Sequence, residues 1–506
     1  MQSQKQPADP LKVAETLVGR LAEAGIRYGV YKNISSIADG LAGITDLDLL
    51  VAADDAQRFR EVITALNGIS GVPCRFYDNA VAGREDWFVP DSSGGYLHLD
   101  TSFGLRIGPK FWKRYGALDY ESVRDWQPGD LFGPALARVA PYEEARIAVL
   151  RSIFKLTLWP GRSWVRADHG STVLLSAALP AGESSCILKY QFGPHEMTCR
   201  VRQRGGLVEL ESSAVRGLRS AVRAHCGSSS LAAPLDYLVH LARRTIYFVA
   251  ARLTQASPGK TVAKRTIRPT GIIIALIGPD GVGKSTQTGR LVSSFQKKFR
   301  CTSVYLGSND GSWMKIRGKL RAFFRRGRSP AAGAPSADKS PRQRKERGKY
   351  HLLGSALWRL VIAVQRYAAI RKAVRLAGSG AIVITDRWPQ NLEFGMLDGP
   401  SVPPPQAMRL AFLVSRIERS LYRRMEQFKP NLTIHLDADF ATSYARKPGD
   451  IEEADFELRL ELMKEMRGRD PAIVIVDSRQ AMQQVTRDLS QRVWSALSVH
   501  STFRNR

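Results

Sequence analysis

Gly278, Pro279, Asp280, Gly281, Val282, Gly283, Lys284 and Ser285 fill the pattern G-x-x-x-x-G-K-[ST], and Thr286 follows directly. Residue types at this spacing can hold a polyphosphate. Glycines let successive backbone N–H groups turn toward anionic oxygens, and a helix starting at the same point adds its partial positive charge. Lys284 would then reach the β- and γ-phosphates, Ser285 would ligate Mg2+ through its hydroxyl, and Thr286 would stand near the α-phosphate. The expected nucleotide-binding set is therefore Gly278, Asp280, Gly281, Val282, Gly283, Lys284, Ser285 and Thr286, with ATP and Mg2+ as cofactors.

Such a loop works only between a strand and a helix, and both flanks comply. Apolar residues GIIIALI precede it, and Leu291, Val292, Phe295 and Phe299 follow at helical spacing. Further apolar runs lie at Thr302–Leu306, in AIVITD ending at Asp386, in LTIHLD ending at Asp437 and at Ala472–Asp477. Five nearly continuous apolar strands separated by helical stretches predict an α/β fold with a five-stranded parallel sheet covered on both faces. Ligands bind such sheets at the C-terminal ends of the strands, where Gly278, Asp386 and Asp437 fall.

A second constellation lies near the start of the chain. In TDLDLLV, Asp46 and Asp48 alternate with leucines, so period two puts both carboxylates on one strand face. YLHLDT supplies Asp100 and directs His98 to the same side. Three such carboxylates could hold paired Mg2+ ions for nucleotidyl transfer; the spacing equally suits a solvated acidic pair. From about Leu11 to Leu158 the arrangement resembles the polymerase-β type of nucleotidyltransferase fold, with Lys32-Asn33 in place of the usual Gly-Ser or Gly-Gly turn. That resemblance implies an N-terminal α+β domain with a metal site at Asp46, Asp48 and Asp100.

GPDGVGKSTQ, TDRW at Thr385–Trp388 and KPNLTIHLDAD at Lys429–Asp439 together resemble the thymidylate kinase family over about Gly271–Leu497. The resemblance implies that Asp280 contacts the acceptor, and that Asp386 and Arg387 serve metal-bound water and the acceptor phosphate. It also implies a lid after the fourth strand, with Arg446 and Lys447 as its cations. Lys284, Asp386, Arg387 and Arg446 are thus the expected catalytic residues. Two departures bear on the acceptor: Ile277 replaces a glutamate before the loop, and DRW is followed by PQNLEFGMLDGPSVPPP. The chain looks more like divergent thymidylate-kinase-like proteins, a resemblance that leaves open an acceptor other than dTMP. Phosphoryl transfer to a nucleoside monophosphate or other small acceptor is expected, with coupling to nucleotidyl transfer by the first domain left open. The competing reading is a nucleotide-regulated module that binds nucleic acid or a membrane.

The chain has 506 residues, 44% of them hydrophobic, which is enough for two or three domains. Boundaries are expected at 1–158, at 159–268 for a mixed middle region ending in a basic connector, and at 269–506. A net charge of +28 favours a polyanion, an anionic membrane surface or a phosphorylated substrate. Much of it sits in a basic insert at 315–349, expected to be disordered and open to contact with nucleic acid or lipid. Five scattered cysteines without C-x-x-C spacing argue against disulfides or zinc, and His169, His195 and Cys199 do not form a ligand set. A cytoplasmic protein follows, with peripheral attachment to the inner membrane and a homodimer left open. The N-terminus does not read as a secretory signal, and Leu352–Ala369 reads as a buried or interfacial helix.

Overall fold

The computed structural model describes residues 9–502 apart from 73–82, 109–114, 167–184, 227–234, 251–264, 308–340, 403–408 and scattered shorter gaps. It divides into two compact units, Met1–Arg268 with Leu497–Arg506, and Pro269–Ala496.

Strands of the first unit are β1 (Tyr28–Val30), β2 (Asp46–Val51), β3 (Ile69–Val72), β4 (Arg84–Pro90), β5 (Tyr96–Ser102), β6 (Leu105–Ile107) and β7 (Tyr115–Leu118). Then come β8 (Trp126–Gln127), β9 (Ala137–Val139), β10 (Trp164–Arg166), β11 (Ser185–Phe192), β12 (His195–Arg204), β13 (Leu207–Glu211) and β14 (Thr266–Ile267). An eight-stranded mixed sheet runs β14-β3-β4-β5-β2-β1-β9-β8, a four-stranded antiparallel sheet runs β10-β13-β12-β11, and β6 and β7 pair as a hairpin. The helix Lys12–Glu23 buries Ala14, Leu17, Val18 and Leu21, a stripe of helical period, against Leu47, Leu49, Leu97 and Leu99 of the larger sheet. β2 and β5 are parallel neighbours in the register Asp48↔Asp100, which brings those two side chains onto one face.

The helix expected over Tyr142–Trp159 is Pro141–Ser152. Its Ile147, Val149 and Leu150 share one core with Leu188 and Tyr190 of β11, Val201 of β12 and Leu210 of β13, along with Val215, Leu218 and Val222 of the helix Ser212–His225. This helix is buried around most of its circumference, and the middle of the chain provides part of that cover. Part of the helical stretch expected over Leu235–Leu253 lies outside the described residues, as does His169.

The second unit contains β15 (Ile273–Ile277), β16 (Cys301–Tyr305), β17 (Ile382–Asp386), β18 (Leu432–Asp437) and β19 (Ile473–Asp477), all parallel in the order β16-β17-β15-β18-β19. These are the five apolar runs of the sequence. β15 and β17 are buried along their whole length, as central strands covered on both faces must be. Leu352–Ala369 falls within the long helix Pro341–Gly378, whose Ala363, Ile370, Ala373 and Ala377 pack on Ile273, Val304 and Val383. No helix among the described residues is long and apolar enough to cross a membrane. Of the basic insert, 315–340 lies outside the described residues. Its end, 341–349, is helical where irregular chain was expected, because a proline at the helix start is followed by Arg, Gln, Lys and Glu, which all favour helix.

Candidate functional site

β15 ends at Ile277 and the helix Lys284–Phe295 begins after a six-residue loop in which Gly278, Gly281 and Gly283 all have positive φ. Two of these glycines are also required by space. A Cβ on Gly278 would stand 2.8 Å from the Leu436 carbonyl oxygen, and one on Gly281 2.7 Å from that of Ser443. Lys284 is 5% exposed, and its Nζ donates to the carbonyls of Gly278 (2.9 Å) and Pro279 (2.5 Å). Burial first, and the Arg387 cation second, push this ammonium down to about 8. A lysine so placed gains from any anion entering the loop.

Asp386 closes β17, and the register Leu276↔Asp386 sets it beside the loop. Ser285 Oγ donates to Asp386 Oδ2 at 2.5 Å, although the two residues are 101 positions apart. Asp386 Oδ1 is buried and has no protein partner. A hydroxyl and a carboxylate side by side at the end of a phosphate loop are hard oxygen donors that fit Mg2+. Ser285 and Thr286 are exposed on the first turn of the helix.

Arg387 adopts φ 79°, a left-handed conformation that a non-glycine residue holds only when its surroundings impose it. Its Nη2 donates to Asp280 Oδ1 (2.5 Å) and its Nη1 to Asp398 Oδ2 (3.2 Å). Arg459, on the helix Glu453–Arg469, donates to Asp280 Oδ2 at 2.7 Å. Burial would raise the Asp280 carboxyl, but Arg387, then Lys284 and Arg459, draw it down to about 2. Behind this layer, buried Arg366 donates to the carbonyls of Leu306 (2.9 Å) and Asp398 (2.9 Å), to Tyr422 Oη (2.6 Å) and to Asp398 Oδ1 (2.5 Å).

The first unit also brings its expected residues together. Carboxylate oxygens of Asp46, Asp48 and Asp100 lie within 4.8 Å of one another. Two cations stand among them. Lys32 Nζ contacts Asp48 and lies 3.2 Å from Asp100 Oδ2, while Arg84 Nε donates to Asp100 Oδ1 at 2.6 Å. Asn33 adds a hydrogen bond to Asp48 Oδ2 (2.6 Å). His98 bonds Asp86 (2.8 Å) and stacks on Phe88, and Arg265 takes the same Asp86 oxygen (2.8 Å). Burial alone would raise the Asp100 carboxyl; Lys32 and Arg84 hold it well below the usual range. Among the described residues Asp46 has no ion pair. Entry of a divalent ion would have to displace an ammonium and a guanidinium.

No protein-family model matches the chain. It is 31% identical to the "Uncharacterized ATP-binding protein YghR" of Escherichia coli strain K12 over 238 residues, 46% of this chain and 90% of that protein. The chain belongs to the YghR family. Its similarity to the "Uncharacterized ATP-binding protein YghS" of the same strain is 28% over 233 residues, 45% of this chain and 94% of that one.

In this YghR-family chain, sequence reading missed Arg459, Arg366 and Asp398. One signal was available for Arg459, which lies three residues after Phe456 and four before Met463, on the buried stripe of its helix. Arg446, expected over the transferring phosphoryl group, is exposed at the end of the helix Phe440–Arg446 and donates to the carbonyls of Val282 (3.3 Å) and Ser478 (2.7 Å). It thereby contacts the loop at the Val282 carbonyl.

His435 of β18 is 1% exposed, and neither ring nitrogen has a partner. Burial lowers it from the ordinary 6.5 to about 4. Between these values the unfolded chain takes up a proton that the folded chain refuses, so stability falls as pH drops through that window. The full difference corresponds to about 3 kcal/mol. Thermal melts of the wild type and His435→Gln at pH 7 and pH 4.5 should show the smaller acid loss in the variant. Equal losses would mean that His435 carries no such linkage.

Proposed function

We propose that the second unit binds ATP in the loop Gly278–Thr286 and transfers its γ-phosphoryl group to a small acceptor that itself carries a phosphate. The supporting observation is the meeting of Lys284, Ser285 and Asp386 at the C-terminal ends of adjacent parallel strands. The names of YghR and YghS support ATP as the donor.

Lys284 would exchange its two carbonyl contacts for β- and γ-phosphate oxygens. Ser285 and Asp386 would hold Mg2+, which neutralises charge building on those oxygens. Arg387 presents a planar guanidinium beside the loop, suited to an acceptor phosphate. Asp280, gripped on both oxygens by arginines, is fixed as an acceptor-facing carboxylate rather than left to titrate. The acceptor differs from dTMP on this reading. Besides Ile277 and the altered run after DRW, Gln390 spends its amide on the Glu393 and Met396 carbonyls and its oxygen on the Leu392 and Glu393 amides, so it cannot read a base.

ADP release by the full chain, followed over nucleoside monophosphates and sugar phosphates, tests the reading. Asp386→Asn should need at least about tenfold more Mg2+ and lose about a hundredfold in kcat. An unchanged Mg2+ requirement would remove Asp386 from the site, and a panel that never raises ADP release above ATP alone would overturn phosphoryl transfer to such acceptors.

A further inference from the structure

Beside the carboxylate cluster of the first unit, between the end of β1, the end of β5, β6 and the last turn of the helix Pro141–Ser152, lies a cavity open to solvent. Lys32, Arg84, Arg106, Arg151 and Lys155 line it together with Ser102, and none of its lining residues is acidic. Lys32 and Arg84 are pinned from behind by Asp48 and Asp100. Among the described residues Arg106 and Arg151 have no ion pair. Arg151 also acts electrostatically against Lys32, the cost of placing like charges around one space.

Cations converge on one cavity at such a cost where an anion is to be met. We infer that this cavity binds a small phosphate- or diphosphate-bearing molecule directly on its lysines and arginines, without divalent metal. The buried carboxylates then have a different task from the one their spacing suggests. Asp48 and Asp100 orient the inner cations, Lys32 and Arg84, while Arg106, Arg151 and Lys155 approach the ligand from the rim. Several cations around one space match a compact, multiply charged group better than a single carboxylate, and guanidinium forks suit phosphate oxygens. All of its lining residues belong to the first unit, and the inference does not depend on the function proposed for the loop at Gly278–Thr286.

Calorimetric titration of the full chain with inorganic pyrophosphate in EDTA tests the inference. The chain carrying Lys284→Ala, in which the phosphate loop has lost its ammonium, should keep metal-free pyrophosphate binding. Adding Arg106→Ala and Arg151→Ala should weaken that binding at least tenfold; neither arginine holds a buried acid, so the fold should survive, as circular dichroism would show. Binding that disappears with Lys284→Ala alone would assign it to the loop and overturn the proposal. So would binding that persists undiminished without the two arginines, or citrate binding as tightly as pyrophosphate. The metal-free part has its own readout, electron paramagnetic resonance of Mn2+ added to the Asp386→Asn chain. No tight ion is expected, and a tight ion lost on Asp46→Asn would overturn it.

Discussion

Lys284→Ala is expected to cut ATP-dependent ADP release by at least about a hundredfold, the usual effect of removing a donor aimed at charge that develops in a transition state. The same change should leave the fold nearly as stable. Lys284 is buried with its ammonium held below its ordinary range, so folding already bears a desolvation cost that alanine removes along with the two carbonyl hydrogen bonds. Activity and melting temperature are therefore expected to separate, with the first collapsing and the second shifting by no more than a few degrees. Lys284→Arg should not rescue turnover, because a broad planar fork does not fit a slot shaped for one ammonium between two carbonyls. ADP release at the wild-type rate in Lys284→Ala would end the phosphoryl-transfer reading.

Arg366→Ala should do the reverse, acting first on stability. Its guanidinium satisfies three carbonyl or hydroxyl oxygens and one carboxylate oxygen in a buried position, with 7% of the side chain exposed. Removing one partner of such a buried pair costs about 3–5 kcal/mol, since the others are left without hydrogen bonds or water. Denaturant unfolding measures this loss in the transition that ATP and Mg2+ shift upward, which marks the second unit. Arg366→Lys should recover only part of it, because one ammonium cannot reach all four acceptors. A second consequence follows through Asp398, which also receives Arg387. With Arg366 gone, Asp398 can draw Arg387 away from Asp280, so the KM for the acceptor should rise more than that for ATP. A loss below about 1 kcal/mol would show that these hydrogen bonds give little net stability.

The two sites differ in how far they could be read in advance. At the phosphate loop, residue spacing led to the correct strands and to a loop whose glycines are needed for positive φ and close backbone approach. At the carboxylate cluster the spacing brought the right three side chains together, yet the charge around them was invisible. Lys32 precedes Asp100 by 68 residues, and Arg84 reaches it only because β4 and β5 are antiparallel neighbours.

The sequence by itself determined the five apolar strands, the loop between β15 and its helix, and the shared face of Asp46 and Asp48, because side-chain alternation, helical period and glycine's freedom are properties of near neighbours in the chain. Tertiary structure alone decided which charges meet. Asp280 is held by Arg387 and Arg459, 107 and 179 positions away, and the electrostatics of Asp48 and Asp100 depend on Lys32 and Arg84. An ion pair forms where strand register and helix docking bring two side chains within a few ångströms, and no local pattern records that distance.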